Sequence, residues 1–136
     1  MCWQYNDMKK QLLYVEQKSG SEDQNSAWIG KGSFSKSGRT IYFNDQAFQS
    51  LNGAGISGNY YNIETGDEYW ISGVKKNQQD RHWSDNGIIM VDESVVPEYL
   101  DTIGADKLSP SKYKVVRFAE GNVVSRIQQL ENQKMV

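Results

Sequence analysis

The sequence predicts a mainly β protein: a small, strongly bent antiparallel barrel or roll, SH3-like in one form, with short helices and a C-terminal helix. Three observations predict it. Short aromatic and β-branched runs recur at strand length between turn-marked breaks. The 136 residues carry four Trp, eight Tyr and four Phe, enough to build a core from few, large side chains. The strand-to-helix alternation of a doubly wound sheet is missing. The length suits one core, and the chain divides into an N-terminal extension (1–7), a single β-rich domain (8–121) and an amphipathic C-terminal helix (122–136).

Leu12, Leu13, Tyr14 and Val15 read as the first strand, ended by the polar run 17–26, which has nothing to bury. Ala27, Trp28 and Ile29 open a second strand that continues through Gly30-Lys31-Gly32 to Phe34. Its glycines predict a bulge, a strong bend or close approach by another backbone; without a longer G-x-G-x-x-G pattern they are a weak nucleotide signal. A turn at 35–38 returns the chain as a strand over 39–43. Residues 44–51 are expected to form about two helical turns, capped by Asn44 or Asp45, with Phe48 and Leu51 buried. The glycine-dense stretch 52–58 matches no phosphate loop and reads as a turn or barrel corner.

The clearest local signal is a hairpin. Tyr60, Tyr61 and Ile63 precede Glu64-Thr65-Gly66-Asp67, and Tyr69, Trp70, Ile71 and Val74 follow it. Residues 75–83 hold no apolar side chain before Trp83 and are expected to be an exposed loop, after which the run 88–91 rejoins the sheet. Residues 92–100 read as a short helix capped by Asp92 or Ser94, with Pro97 in its first turn and Gly104 past its end. The last strand falls at 113–118. Val123, Ile127 and Leu130 then recur at helical spacing, a stripe that docks on the barrel or covers a sheet edge.

Cys2 is the only cysteine, so no disulfide and no cluster of thiolate ligands can form within one chain. No stretch approaches the ~18 consecutive apolar residues of a membrane span, and no long apolar segment opens the chain. A cytoplasmic protein without a membrane partner is expected, and Met8-Lys9-Lys10 looks like an ordinary start behind the extension. The net charge of −2 argues for no partner class, but its distribution is uneven. Residues 75–83 hold three Lys/Arg against one acidic residue, residues 84–106 none against six, and residues 107–136 six against two.

The candidate site is the loop that the fold does not obviously need: Lys75, Lys76, Asp80, Arg81, His82 and Trp83, with Tyr60 and Trp70 as stacking faces. A single histidine excludes a two- or three-His metal centre, and neither metal nor cofactor is expected. Asp80 and His82 alternate in an extended segment, so they can face the same way as an oriented base, which gives a small hydrolase as one alternative. Cations beside aromatics give a second, a single-stranded nucleic-acid-binding barrel. Glu64, Asp67 and Glu68 lie close in sequence and would repel a polyanion. The favoured reading is a non-enzymatic module that recognises a protein or peptide, a partner that tolerates mixed charge and is held by Trp, Tyr and Arg anchors.

From Glu64 to Trp83, ETGDEYWISGVKKNQQDRHW, the chain resembles a group of small uncharacterised bacterial proteins. They combine a GRTIYFN-like stretch, here Gly38 to Asn44, with a tyrosine-rich hairpin and a K-x-x-x-x-D-R-H-W-like segment. The likeness spans roughly Met8 to Leu100 and implies a one-domain β fold with no activity to carry over. Some members bear an automated label naming 1-deoxy-D-xylulose-5-phosphate synthase. That label does not fit, because a thiamine-diphosphate enzyme needs several large α/β domains and metal-ligating Asp and Asn that have no match in this chain.

Overall fold

Short apolar runs, buried on both faces, build the sheet. In the computed structural model, which describes residues 9–18, 26–54, 58–78, 87–119 and 121–134, successive strands pair antiparallel: β1 (Lys9–Gln17), β2 (Ala27–Phe34), β3 (Thr40–Phe43), β4 (Gln46–Ser50), β5 (Tyr60–Asn62) and β6 (Glu68–Gly73). β6 pairs back onto β1, closing a six-stranded antiparallel barrel. The register is staggered as closure requires. Lys9 reaches Asn62 through Phe34, Ile41 and Phe48, whereas Gln17, at the other end of β1, reaches Tyr60 through Tyr69.

Alternate side chains fill the interior. Leu13, Val15, Ile41, Phe43, Phe48, Tyr69 and Ile71 form one buried cluster, each such side chain contributing roughly 1.5–3 kcal/mol by leaving water. Phe48 meets Tyr69 edge-on at 4.7 Å. The intervening residues face outwards, where two helices cover them.

The region 44–51 corrects the helical expectation. Asn44 and Asp45 sit at φ 50° and 58°, the signature of a two-residue type I′ hairpin, and the next residues pair with β3 as β4. Phe48 is buried as expected, but inside the barrel; Leu51 lies just past the strand, half-buried. The hairpin between β5 and β6 follows the sequence closely. The Asn62 side chain accepts from the Glu64 and Thr65 N–H groups, and Gly66 takes φ 83° at its corner. Ahead of β5, the Asn59 amide bonds the N–H and C=O of Ile71, both at 2.8 Å, and so replaces a peptide group of the ladder.

β2 changes partner at its glycines. Ala27–Ile29 pairs in parallel with β7 (Ile89–Asp92), and Ser33 and Phe34 pair with β3. The split between β7 and β3 opens over Gly30, and the ring of Phe118 enters there; a Cβ on Gly30 would collide with it. Gly32 likewise gives way to Leu13. The close approach expected at these glycines is therefore made by side chains. Phe118 also meets Phe43 edge-on at 5.0 Å.

β8 (Tyr113–Val116) lies parallel to β7, joined through a 3-10 turn (Glu93–Val95) and α1 (Val96–Ile103). Doubly wound alternation is missing as expected, but this single strand-helix-strand unit makes the last strands parallel. Pro97 sits in the first turn of α1, and Gly104 ends the helix at φ 70°. The expected caps are corrected: neither Asp92 nor Ser94 makes a side-chain cap bond. The Asp92 carboxylate instead accepts the Ser94 hydroxyl and the Phe118 N–H. α1 covers an outer cluster of Leu12, Tyr14, Ile29, Val91, Tyr99 and Tyr113, within which the Tyr99 and Tyr113 hydroxyls bond at 2.9 Å.

α2 (Val123–Lys134) docks on the outside of β3 and β4, its stripe of Val123, Ile127 and Leu130 packing against Tyr42, Ala47 and Ile63. Arg126 fastens it. Its guanidinium donates to both Glu64 carboxylate oxygens (3.1 and 3.0 Å), to Asp45 Oδ1 (3.0 Å), to the Asp45 carbonyl (2.9 Å) and to Asn122 Oδ1 (3.1 Å), which uses all five N–H groups.

Candidate functional site

Lys75 and Lys76 leave the end of β6 exposed, in a turn where Gln78 donates to the Lys75 carbonyl and takes φ 64°. Asp80, Arg81, His82 and Trp83 lie outside the described residues. Tyr60 and Trp70 do not converge. Tyr60 packs against the interior cluster, while Trp70 packs against the outer cluster beneath α1.

The meander brings other cations to Lys75 and Lys76. In an up-and-down barrel every second connection lies at the same end. The end where β6 leaves is therefore also where β1 begins, with Lys9 and Lys10, and where β2 turns into β3, with Lys36 and Arg39. Register confirms the last two placements, since Lys9 pairs with Phe34, next to that turn. All these side chains are exposed. Among the described residues of these connections, and of the β4–β5 connection at the same end, there is no carboxylate.

Beside this end lies a groove of about 560 Å³, lined by Ser35, Lys36, Ser37, Arg39, Thr40 and Gln49 from the barrel and by Gln128 and Glu131 from α2. Its floor is ordered by side-chain oxygens: Ser37 Oγ accepts the Arg39 N–H, Ser35 Oγ accepts the Thr40 N–H, and Gln49 donates to Thr40 Oγ1. Tyr42 reaches the groove, its phenol pushed above the ordinary 10.0 by burial and then by Glu131.

The opposite end has the other sign. The turns there carry Asp45, Glu64 and Asp67, with Arg126 bridging two of them. Their proximity raises the Arg126 pKa still further, chiefly through the Glu64 and then the Asp45 hydrogen bonds. Glu16 and Lys18 form a buried ion pair there, and Tyr14 donates to the same carboxylate. Of the acidic residues that sequence alone set beside the basic loop, Glu64 and Asp67 thus lie across the barrel from Lys75 and Lys76, whereas the Glu68 carboxylate accepts the Gly58 N–H of the β4–β5 connection at 2.9 Å.

A second cleft, about 570 Å³, lies where the chain leaves β8 for α2, between Lys31, Asn44, Asp45, Asp92 and Phe118. Asn44 Oδ1 accepts the Ala119 N–H there at 2.8 Å. Among the described residues, no three His, Cys, Asp or Glu side chains gather to hold a metal ion, and no helix is long and apolar enough to cross a membrane.

Lys9, Lys10, Lys36 and Arg39 join the site only through the topology. The signal that could have found them is their position at alternate strand ends. Comparison of the chain with protein-family models, curated proteins and solved structures finds no match.

Proposed function

We propose that the chain is a non-enzymatic recognition module that docks an acidic protein or peptide surface on the basic end of its barrel. One observation carries the reading: Lys9, Lys10, Lys36, Arg39, Lys75 and Lys76, from three separate connections, share one end with no carboxylate among the described residues of those connections. Such a field steers an oppositely charged partner and fixes its orientation. A protein partner is favoured over single-stranded nucleic acid by the fate of the aromatics. Stacking needs ring faces open to bases, whereas Tyr60 and Trp70 are packed against opposite faces of the sheet.

Fluorescence anisotropy at low salt, with a labelled polyglutamate peptide and a labelled single-stranded oligonucleotide, tests this reading. The peptide should bind, and binding should weaken as salt rises. Tighter binding of the oligonucleotide would replace the proposal with the nucleic-acid alternative, and binding of neither would end both.

A further inference from the structure

β8 is the terminal strand of the sheet and pairs with β7. Ile89 stands opposite Tyr113 and donates its N–H to the Lys112 carbonyl. In a parallel ladder that alternation turns the peptide groups of Lys114 towards β7 and those of Val115 away from it. Among the described residues, nothing pairs with the outward edge.

The side chains at this edge are unusual for the molecule. Val115 (51% exposed) is one of the two exposed large apolar residues among those described, the other, Ile88, preceding β7 one strand further in and on the opposite face. Lys112, Lys114 and Arg117 are exposed alongside, Arg117 bonding Glu93 at 2.9 Å.

We infer that β8 takes an extended acidic segment of a partner protein as an added strand. The outward N–H and C=O of Val115 supply main-chain bonds, its side chain supplies apolar contact on one face, and Lys112 and Lys114 select acidic side chains on the other. A second copy of this chain fits worse, because residues 112–119 of each copy bring Lys112, Lys114 and Arg117 and no acidic residue to the shared edge, and like charges across a strand pair destabilise it. This surface belongs to a different part of the sheet from the basic barrel end and does not depend on it.

Val115→Pro isolates the claim. It removes the outward N–H, spares every ladder bond to β7 and leaves the charge unchanged, and proline is tolerated at such positions on edge strands. The probe is a synthetic peptide alternating Glu and Val, with its Lys and Val counterpart as control, followed by calorimetry and amide NMR. The Glu-Val peptide should bind, shift the Val115 amide and lose about tenfold in affinity on Val115→Pro, while the Lys-Val peptide should not bind. Should Val115→Pro fail to fold, the exposed double variant K112E/K114E carries the test, by losing the Glu-Val peptide and gaining the Lys-Val one. Unchanged affinity in a folded Val115→Pro, no binding to the natural sequence, or a dimer formed through β8 would each overturn the inference.

Discussion

The ring of Phe118 occupies the space that a side chain at Gly30 would need, and it does so where β2 passes from one partner strand to another. The second residue past β8 thereby fills the split in the barrel wall. The only residue type that permits this at position 30 is one without a Cβ. Gly30→Ala is expected to cost about 1–3 kcal/mol, as overpacking of a filled interior does, measured by chemical denaturation. Adding Phe118→Ala should make the pair less destabilising than the sum of the single changes. Strict additivity would mean that the two positions do not compete for one volume.

Arg126 joins α2 to the β3–β4 and β5–β6 turns through a fork that satisfies every donor. An isolated exposed ion pair contributes ~1 kcal/mol or less, but bidentate geometry and several partners raise the sum. Arg126→Ala should therefore lower stability by about 1–2 kcal/mol, and amide exchange should quicken in α2 before it does in the barrel strands. Arg126→Lys keeps the charge and loses the fork, so it should recover less than half of that loss. Full recovery by lysine would show that charge alone holds the helix.

Tyr42 gives a pH signature. Its phenol is raised above the ordinary 10.0, so the native state keeps this proton at pH values where the unfolded chain has begun to release it. The contribution to stability is therefore complete below about pH 10 and is lost as the pH climbs through the raised native value. Tyr42→Phe should flatten part of the alkaline fall in unfolding free energy. Parallel pH profiles for the two proteins would remove the assignment.

The sequence foretold those parts of the fold whose signals are local. The hairpin around Gly66 was legible because aromatic alternation and a turn glycine agree. The hairpin at Asn44 and Asp45 was not, because both residues serve equally as helix caps and neither is glycine, although each can adopt the left-handed conformation. The parallel docking of β7 on β2 was hidden for another reason: pairing across some sixty residues leaves no trace in either segment alone. The aromatics expected to stack at the site were claimed by the two faces of the sheet. Lys75 and Lys76 were legible as an unburied pair, but their companions at Lys9, Lys10, Lys36 and Arg39 depended on knowing which ends of which strands coincide.

The central claim is that the basic end of the barrel is the binding surface, and charge reversal there tests it most directly. Titration of labelled polyglutamate at low salt would compare the natural sequence with K75E/K76E, with K36E/R39E, and with a control reversal at the far end, Asp67→Lys. Each reversal at the basic end should weaken binding by about fivefold or more, given that an exposed ion pair contributes up to ~1 kcal/mol and that reversal also adds repulsion. The control should leave affinity unchanged or slightly improved. Equal affinity across all four proteins, or loss confined to the far-end control, would contradict the account.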